Sequence, residues 1–375
     1  SSQTIGNPLD KTTAIRNPKV IVFDRKDFKA DPQFWTMCEN EDGTLIFGNN
    51  DGALLYDGEH WQKIFLPNNS SVRSLLKASD GKIYVGGYNE IGTIQKNKYG
   101  TYFYKSLLEN YHLENKNLEN LWQIHQINKQ IIYRSFTELI IISGNKINQI
   151  PSKKSFTYAQ KIANNYYVQD ADFGIYKLDN STMGLSLVFD AKSILNEEVA
   201  CILPTTDPQF LSIISKSGNV YSGNLASKII TRKMSLFDED KKDQVTFGIA
   251  DPQHNYLIAT SRSKVIKITN SGQILHGNEL FPELSTTNIH FLYQTNNLNL
   301  WVLQNNGLSL LDFNSPFLQL FDQSSVYDIL VFNKVIYIAT NNGVYYANFN
   351  TALGNRIFAF KRIGDLQGQN WADQE

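Results

Sequence analysis

Residues 34–67 read FWTMCENEDGTLIFGNNDGALLYDGEHWQKIFLP. Four short apolar runs stand out, at 34–38, 44–47, 53–56 and 61–66, separated by Glu41-Asp42-Gly43, Asn49-Asn50-Asp51-Gly52 and Asp57-Gly58. Asp-Gly between runs of two-residue alternation signals a hairpin, because glycine takes the backbone angles that the turn requires. The stretch predicts four antiparallel strands in a meander. Such a sheet cannot bury both faces alone and needs neighbours of its own kind.

The chain supplies them. The four-run pattern restarts at residues 72, 121, 156, 199, 245, 288 and 326. A period near 40 with four strands per unit is that of a propeller blade. The expected fold is all-β, a β-propeller of four-stranded antiparallel blades with eight repeats in the chain. It reads either as a seven-bladed ring plus the first blade of a second, or as an eight-bladed ring. Only 109–120 and 191–198 could form a helical turn or two, which excludes a helical solenoid. A lone strand, KVIVFD at 19–24, precedes the first repeat and parallels IFAFKR at 357–362, while 368–372 parallels the approach to Trp35. The chain thus starts with the last strand of one blade and stops at the first strand of another, as a fragment of a longer protein would. The expected division is 1–33 as a segment with the ring-closing strand, 34–322 as blades one to seven, and 323–375 as the eighth repeat and the start of a following blade.

Apolar residues make up 42% of the chain and aromatic ones 12%, enough for a large core. Lys plus Arg at 35 against Asp plus Glu at 36 gives a net charge of −1, which argues against a nucleic-acid-binding role. No apolar run approaches the roughly 20 residues that span a bilayer, so membrane attachment would run through segments outside this stretch. The first residues carry no basic-then-apolar signal segment. Cys38 and Cys201 fall in the first strands of repeats four apart, on opposite sides of a ring, and are expected as buried free thiols.

Catalytic and metal-binding patterns are not found. The six histidines are scattered without HxH or HExxH spacing, and neither GxSxG nor GxxxxGK occurs. Gly86-Gly87 is not followed by a helical pattern, and Asp170-Ala171-Asp172 lacks the downstream residues of a calcium loop. No catalytic residue, metal or cofactor is expected. What a propeller offers instead is a face on which the second-to-third-strand loops and the starts of the first strands converge around the axis. The ligand-binding candidates there are Trp35, Asn50, Arg73, Tyr88, Glu90, Trp122, Glu138, Asp172, Phe173, Arg262 and Asn306, with Tyr158, Lys216 and His290 nearby. Aromatic platforms beside amides, carboxylates and cations suit sugars, whose C–H faces stack while their hydroxyls pair.

Several stretches carry a family resemblance: GNPLDKTTAIRNPKVIVF, residues 33–92 of the first two repeats, LNLWVLQNNGLSLLDFNSP and IYIATNNGVYY. They resemble the sensor regions of bacterial two-component-regulator propeller proteins of the histidine kinase or helix-turn-helix regulator type, whose sensor ends in a triple-tyrosine domain. The resemblance covers essentially the whole chain, most clearly in repeats one, two, seven and eight. It implies a signal peptide, two successive seven-bladed rings, a β-sandwich, a membrane helix and a cytoplasmic output module. It carries over no catalytic residue. The expected function is a non-enzymatic, periplasmic ligand-sensing propeller of a membrane-bound signalling or transcription regulator. Its partner would be an oligosaccharide or other small polar molecule, and its output would pass through a homodimer. The alternatives are a polysaccharide lyase or glycosidase, with Glu90 and Glu138 or Asp170 and Asp172 as paired acids, and a protein-interaction scaffold.

Overall fold

Each repeat folds as one antiparallel sheet in the order of its strands. The computed structural model describes residues 11–15, 19–237, 242–275, 287–295, 299–312, 325–348 and 357–364. In blade one the strands Phe34–Glu39, Leu45–Asn49, Gly52–Tyr56 and Trp61–Ile64 pair successively. The first strands of the next six sheets are Val72–Lys77, Gln123–Ile127, Phe156–Ile162, Val199–Pro204, Val245–Ala250 and Ile289–Gln294. These starts lie within two residues of the repeat starts expected from the sequence. A short 3-10 turn at Ala191–Ile194 falls in the expected stretch 191–198, one at Leu108–Asn110 overlaps the start of 109–120, and one at Pro67–Asn69 was not expected.

The first strands pack against one another around an axis, and Ile289–Gln294 packs back against Phe34–Glu39. The ring therefore closes with seven blades. The outermost strand of blade seven is Lys19–Phe23, beside Gly307–Asp312, so the lone strand ahead of the first repeat completes the last blade of the ring. Closure leaves no innermost strand unpartnered, which is how propellers protect sheet edges.

The core lies between blades rather than at one centre. One layer joins Cys38, Ile46 and Leu55 to Val72, Ile83 and Val85 of the next blade. Further layers repeat the arrangement around the ring. The layer between blades seven and one is the most aromatic. Phe23 stacks on Trp301 at 5.5 Å and meets Tyr56 and Trp61 edge-on, while Phe28 packs against Phe34 at 4.8 Å. A one-turn helix, Arg25–Phe28, carries Phe28 into that layer and starts at a capping box formed by Asp24 and Asp27. Cys38 and Cys201 are buried and free, and burial pushes the Cys38 thiol up to about 12.

The chain divides into two compact units, the second taking Ser1–Lys19 and Asp312–Glu375 with Glu279–Phe281. Its described part is a five-stranded antiparallel sheet of Val326–Phe332, Val335–Thr340, Gly343–Asn348, Ile357–Arg362 and Lys11–Ile15. The strand Lys11–Ile15 was not anticipated. Its KTTAI sequence has too little apolar alternation to signal a strand, and it is fixed by pairing with Ile357–Arg362. All seven residues of Val326–Phe332 are exposed. Residues 6–8 and 368–372, which entered the sequence argument, lie outside the described residues.

Candidate functional site

A β-bulge at the same place in nearly every blade builds the channel. In blade one Phe34 pairs with Asn49 and Thr36 with Gly48, leaving Trp35 as the extra residue. The same shift leaves Arg73 in blade two, Thr157 in blade four, Ala200 in blade five, Thr246 in blade six and His290 in blade seven. In blade three Trp122 takes the matching position just before the strand, its amide donating to the Arg134 carbonyl. A bulged residue drops out of the pleat and its side chain is re-aimed. The preceding residue is a buried apolar anchor each time: Phe34, Val72, Leu121, Phe156, Val199, Val245 and Ile289. The anchor holds the blade, and the bulge presents one variable side chain to the axis.

All seven of these side chains line a single cavity of about 520 Å³, within the roughly 300–1,000 Å³ of small-ligand sites. Its wall is lopsided. At the bulge position blades seven, one, two and three carry His290, Trp35, Arg73 and Trp122, whereas blades four, five and six carry Thr157, Ala200 and Thr246, beside which Tyr158, Gln160, Glu198, Lys216 and Phe247 also line the wall. Large groups on one side and small ones on the other leave the space between them.

The large side is a connected stack. The Arg73 guanidinium lies 4.3 Å from the Trp35 ring and 5.2 Å from that of Trp122. Trp35 meets His290 at 4.3 Å and Trp122 at 5.7 Å, and Trp122 continues to Phe136 at 5.8 Å. Asn50 fixes the arrangement. Its Oδ1 accepts from Trp35 Nε1 at 2.8 Å and from Arg73 Nη1 at 2.9 Å, while its Nδ2 donates to Asp31 and Gln33. Arg73 Nε donates to Asn120 Oδ1 at 3.1 Å. Beneath Phe136, Arg134 is only 5% exposed and donates through Nε to Gln123 Oε1 and through Nη1 to the Phe156 carbonyl.

Burial governs the ionisation of these groups. It draws the Arg134 guanidinium down to about 10 and lowers that of Arg73, which remain cationic at neutral pH. Burial, reinforced by Arg134 and Lys161, brings His125 on the wall down to about 4. His290 is lowered by burial and by Arg73, against a hydrogen bond with Asn305. Lys216 forms an ion pair with Glu198. Three polar atoms on wall residues have no protein partner: Trp122 Nε1, His125 Nδ1 and Thr246 Oγ1.

Of the candidates named from the sequence, the structure brings Trp35, Arg73 and Trp122 into the cavity and places Asn50 directly behind them. Tyr158, Lys216 and His290 also line it. The others are elsewhere. Glu90 is buried against the outer strand of its own blade, accepting from Tyr104 and Ser106 hydroxyls at 2.7 and 2.6 Å. Glu138 is buried and accepts from Gln149 and Asn115, and burial raises its carboxyl. Asp170 accepts from the amides of Lys153, Lys154 and Ser155, and Asp172 pairs with Lys154 on the surface. Phe173 lies under Lys153, and Tyr88 is exposed next to Ser70. The Arg262 amide donates to Asp243, and Asn306 accepts from Thr287. None of these eight lines the cavity, so neither acid pair of the enzyme reading faces it. Among the lining residues that the sequence reading missed are Gln123, Arg134, Thr157, Gln160, Glu198, Ala200, Thr246 and Phe247. An available signal was the anchor-plus-one position, one residue past the apolar start of each repeat.

No protein-family model matches the chain, and no curated protein matches it in sequence. Solved structures share its fold. The chain is similar to the extracellular domain ascribed to a one-component system of B. thetaiotaomicron, with 15% identity, a TM-score of 0.59, and coverage of 96% of this chain and 48% of that one. A second similar structure is the extracellular domain ascribed to a hybrid two-component system of the same organism, at 12% identity and TM-score 0.62, covering 93% and 49%. A third is virginiamycin B lyase from Staphylococcus aureus, at 14% identity and TM-score 0.62, covering 78% and 98%. The chain spans about half the length of the two extracellular domains.

Proposed function

We propose that this chain is the ligand-sensing propeller of an extracytoplasmic, membrane-anchored signalling regulator, and that its central cavity holds a small polar ligand of the carbohydrate class. The observation that carries the reading is the lopsided wall. An aromatic platform of Trp35, Trp122 and Phe136 faces the small bulge residues Thr157, Ala200 and Thr246 across about 520 Å³, with Arg73, Arg134, Gln123 and Gln160 on the same wall. Aromatic faces take sugar C–H surfaces, and the polar rim takes hydroxyls. The likeness to extracellular domains of regulatory systems supports the sensor half of the proposal through fold alone. Among the described residues no helix is long and apolar enough to cross a membrane, so anchorage is assigned to flanking segments. In the same reading, the eighth repeat opens a second ring, and signal passes through a dimer whose arrangement the ligand favours.

The binding function is tested by a thermal-shift screen of neutral and acidic oligosaccharides, followed by calorimetry on the hits. A ligand selective for the folded state must raise the melting temperature. The expected result is at least one binder whose affinity falls about tenfold or more in Trp122→Ala. No binder, or a binder indifferent to Trp122→Ala, overturns it. The signalling half is checked by the flanking coding sequence, where a membrane span and a kinase or DNA-binding module are expected. Their absence removes that half and leaves the cavity's role intact.

A further inference from the structure

The charges in the cavity are not balanced. Arg73 and Arg134 both line it, and no carboxylate lies within ion-pair distance of either guanidinium among the described residues. Asp31 acts on Arg73 only from a distance. Each arginine spends Nε and Nη1 on neutral oxygens, and among the described residues the Nη2 of neither donates to a protein acceptor. Glu198, which acts on Arg134 from a distance, is paired with Lys216. Glu90 and Glu138, on the blades of the two arginines, are satisfied by hydrogen bonds to their own outer strands. The wall therefore carries two net positive charges, and a buried charge is costly unless something of opposite sign meets it.

A guanidinium edge is the natural partner of a planar or tetrahedral oxyanion, which accepts two parallel N–H bonds. Between the two arginines lie the rings of Trp122 and Phe136, linked to them at 5.2 and 5.7 Å. We propose that the cavity selects an acidic saccharide, its acidic groups (carboxylate or sulfate) accepting from Nη2 of Arg73 and Nη2 of Arg134 at the two ends of the platform and its rings laid on Trp122 and Phe136. This deepens the binding reading above and rests on it. Carboxylate and sulfate share the chemistry that the arginines recognise, and the arms of the test separate them.

Calorimetric titrations of the whole chain would use trigalacturonate and its methyl ester, and a sulfated galactose disaccharide and its desulfated form. At least one acidic probe is expected to bind about tenfold or more tightly than its neutral counterpart, and more weakly at high salt. Arg73→Gln is expected to erase that difference. Arg134 also holds the Phe156 carbonyl, so Arg134→Lys rather than a neutral variant is used there, with an unchanged melting temperature as the check on folding. Acid-over-neutral selectivity that persists in Arg73→Gln overturns the proposal. So does a neutral sugar that binds equally well and is lost in Trp122→Ala but not in Arg73→Gln, an outcome that leaves the binding cavity standing. If no acidic or neutral probe binds, both readings fall.

Discussion

His125 sits on the cavity wall with Nδ1 unpartnered and its ring edge-on to Tyr166 at 5.6 Å. Its folded pKa of about 4 lies below the roughly 6.5 of an unfolded histidine. The unfolded chain therefore binds a proton in the window between those values, and the native state does not. Stability contributed by neutral His125 is full above pH 6.5 and is lost as pH falls toward 4, on the order of 1–3 kcal/mol in total. Most carboxylates titrate below that window. We expect the melting temperature to fall between pH 6.5 and 4.5, and the fall to shrink in His125→Gln; equal pH profiles for both proteins would refute the assignment. At this scale the sequence was informative where a residue's role depends on its own position. Trp35, Arg73 and Trp122 stand at strand starts and were legible. Glu90 and Glu138 were misplaced because hydrogen bonds to the outer strand, 11 to 16 residues away, turn them from the axis.

Within the blades, two devices recur, the first in six of the seven and the second in blades one, four and seven. The first is the bulge, which turns one position per blade into a channel position with little effect on the sheet. Ala200 is that position in blade five, where blades one and three carry tryptophan. Ala200 is 5% exposed and packed in the layer between blades, so Ala200→Trp is expected to abolish ligand binding at a cost of about 1–3 kcal/mol in stability. A circular dichroism melt and a titration check both halves, and ligand binding that survives in a folded Ala200→Trp protein would show that the side chain does not face the channel. The second device is a glycine at the start of the third strand. Gly52, Gly174 and Gly307 have φ of +127°, +137° and +136°, and a Cβ on each would meet a fourth-strand carbonyl at 2.1 to 2.6 Å. Gly43, in an open turn at φ +83°, has nothing within 4 Å. The expected ordering is a loss of about 1 kcal/mol for Gly43→Ala and about 3 kcal/mol or more for Gly307→Ala, read from denaturant melts. The Asp-Gly turns were readable from sequence because turn chemistry is local. The bulge was not, because it is defined by pairing.

For the ring as a whole, repeat spacing announced the blades and the unmatched strand at 19–24 announced a join. What spacing could not decide was how many blades close, since that depends on which first strands touch. Packing of Ile289–Gln294 on Phe34–Glu39 decides it at seven. The join is held by Phe23, wedged among Tyr56, Trp61 and Trp301. Phe23→Ala is expected to cost about 3–5 kcal/mol and to make blade seven the first site of proteolytic cleavage in native conditions. Cleavage beginning in blades three to five would place the weak point elsewhere.

The join also sets an order of events during synthesis. The strand Lys19–Phe23 leaves the ribosome early, and its partner Gly307–Asp312 follows about 280 residues later. At roughly 5–20 residues per second that is an interval on the order of 15–60 s. Through it an apolar strand waits without its sheet, and the loop it must close is nearly as long as the ring. In a nascent chain of this design, the strand Lys19–Phe23 stays without its native partner until the last blade of the ring has been made.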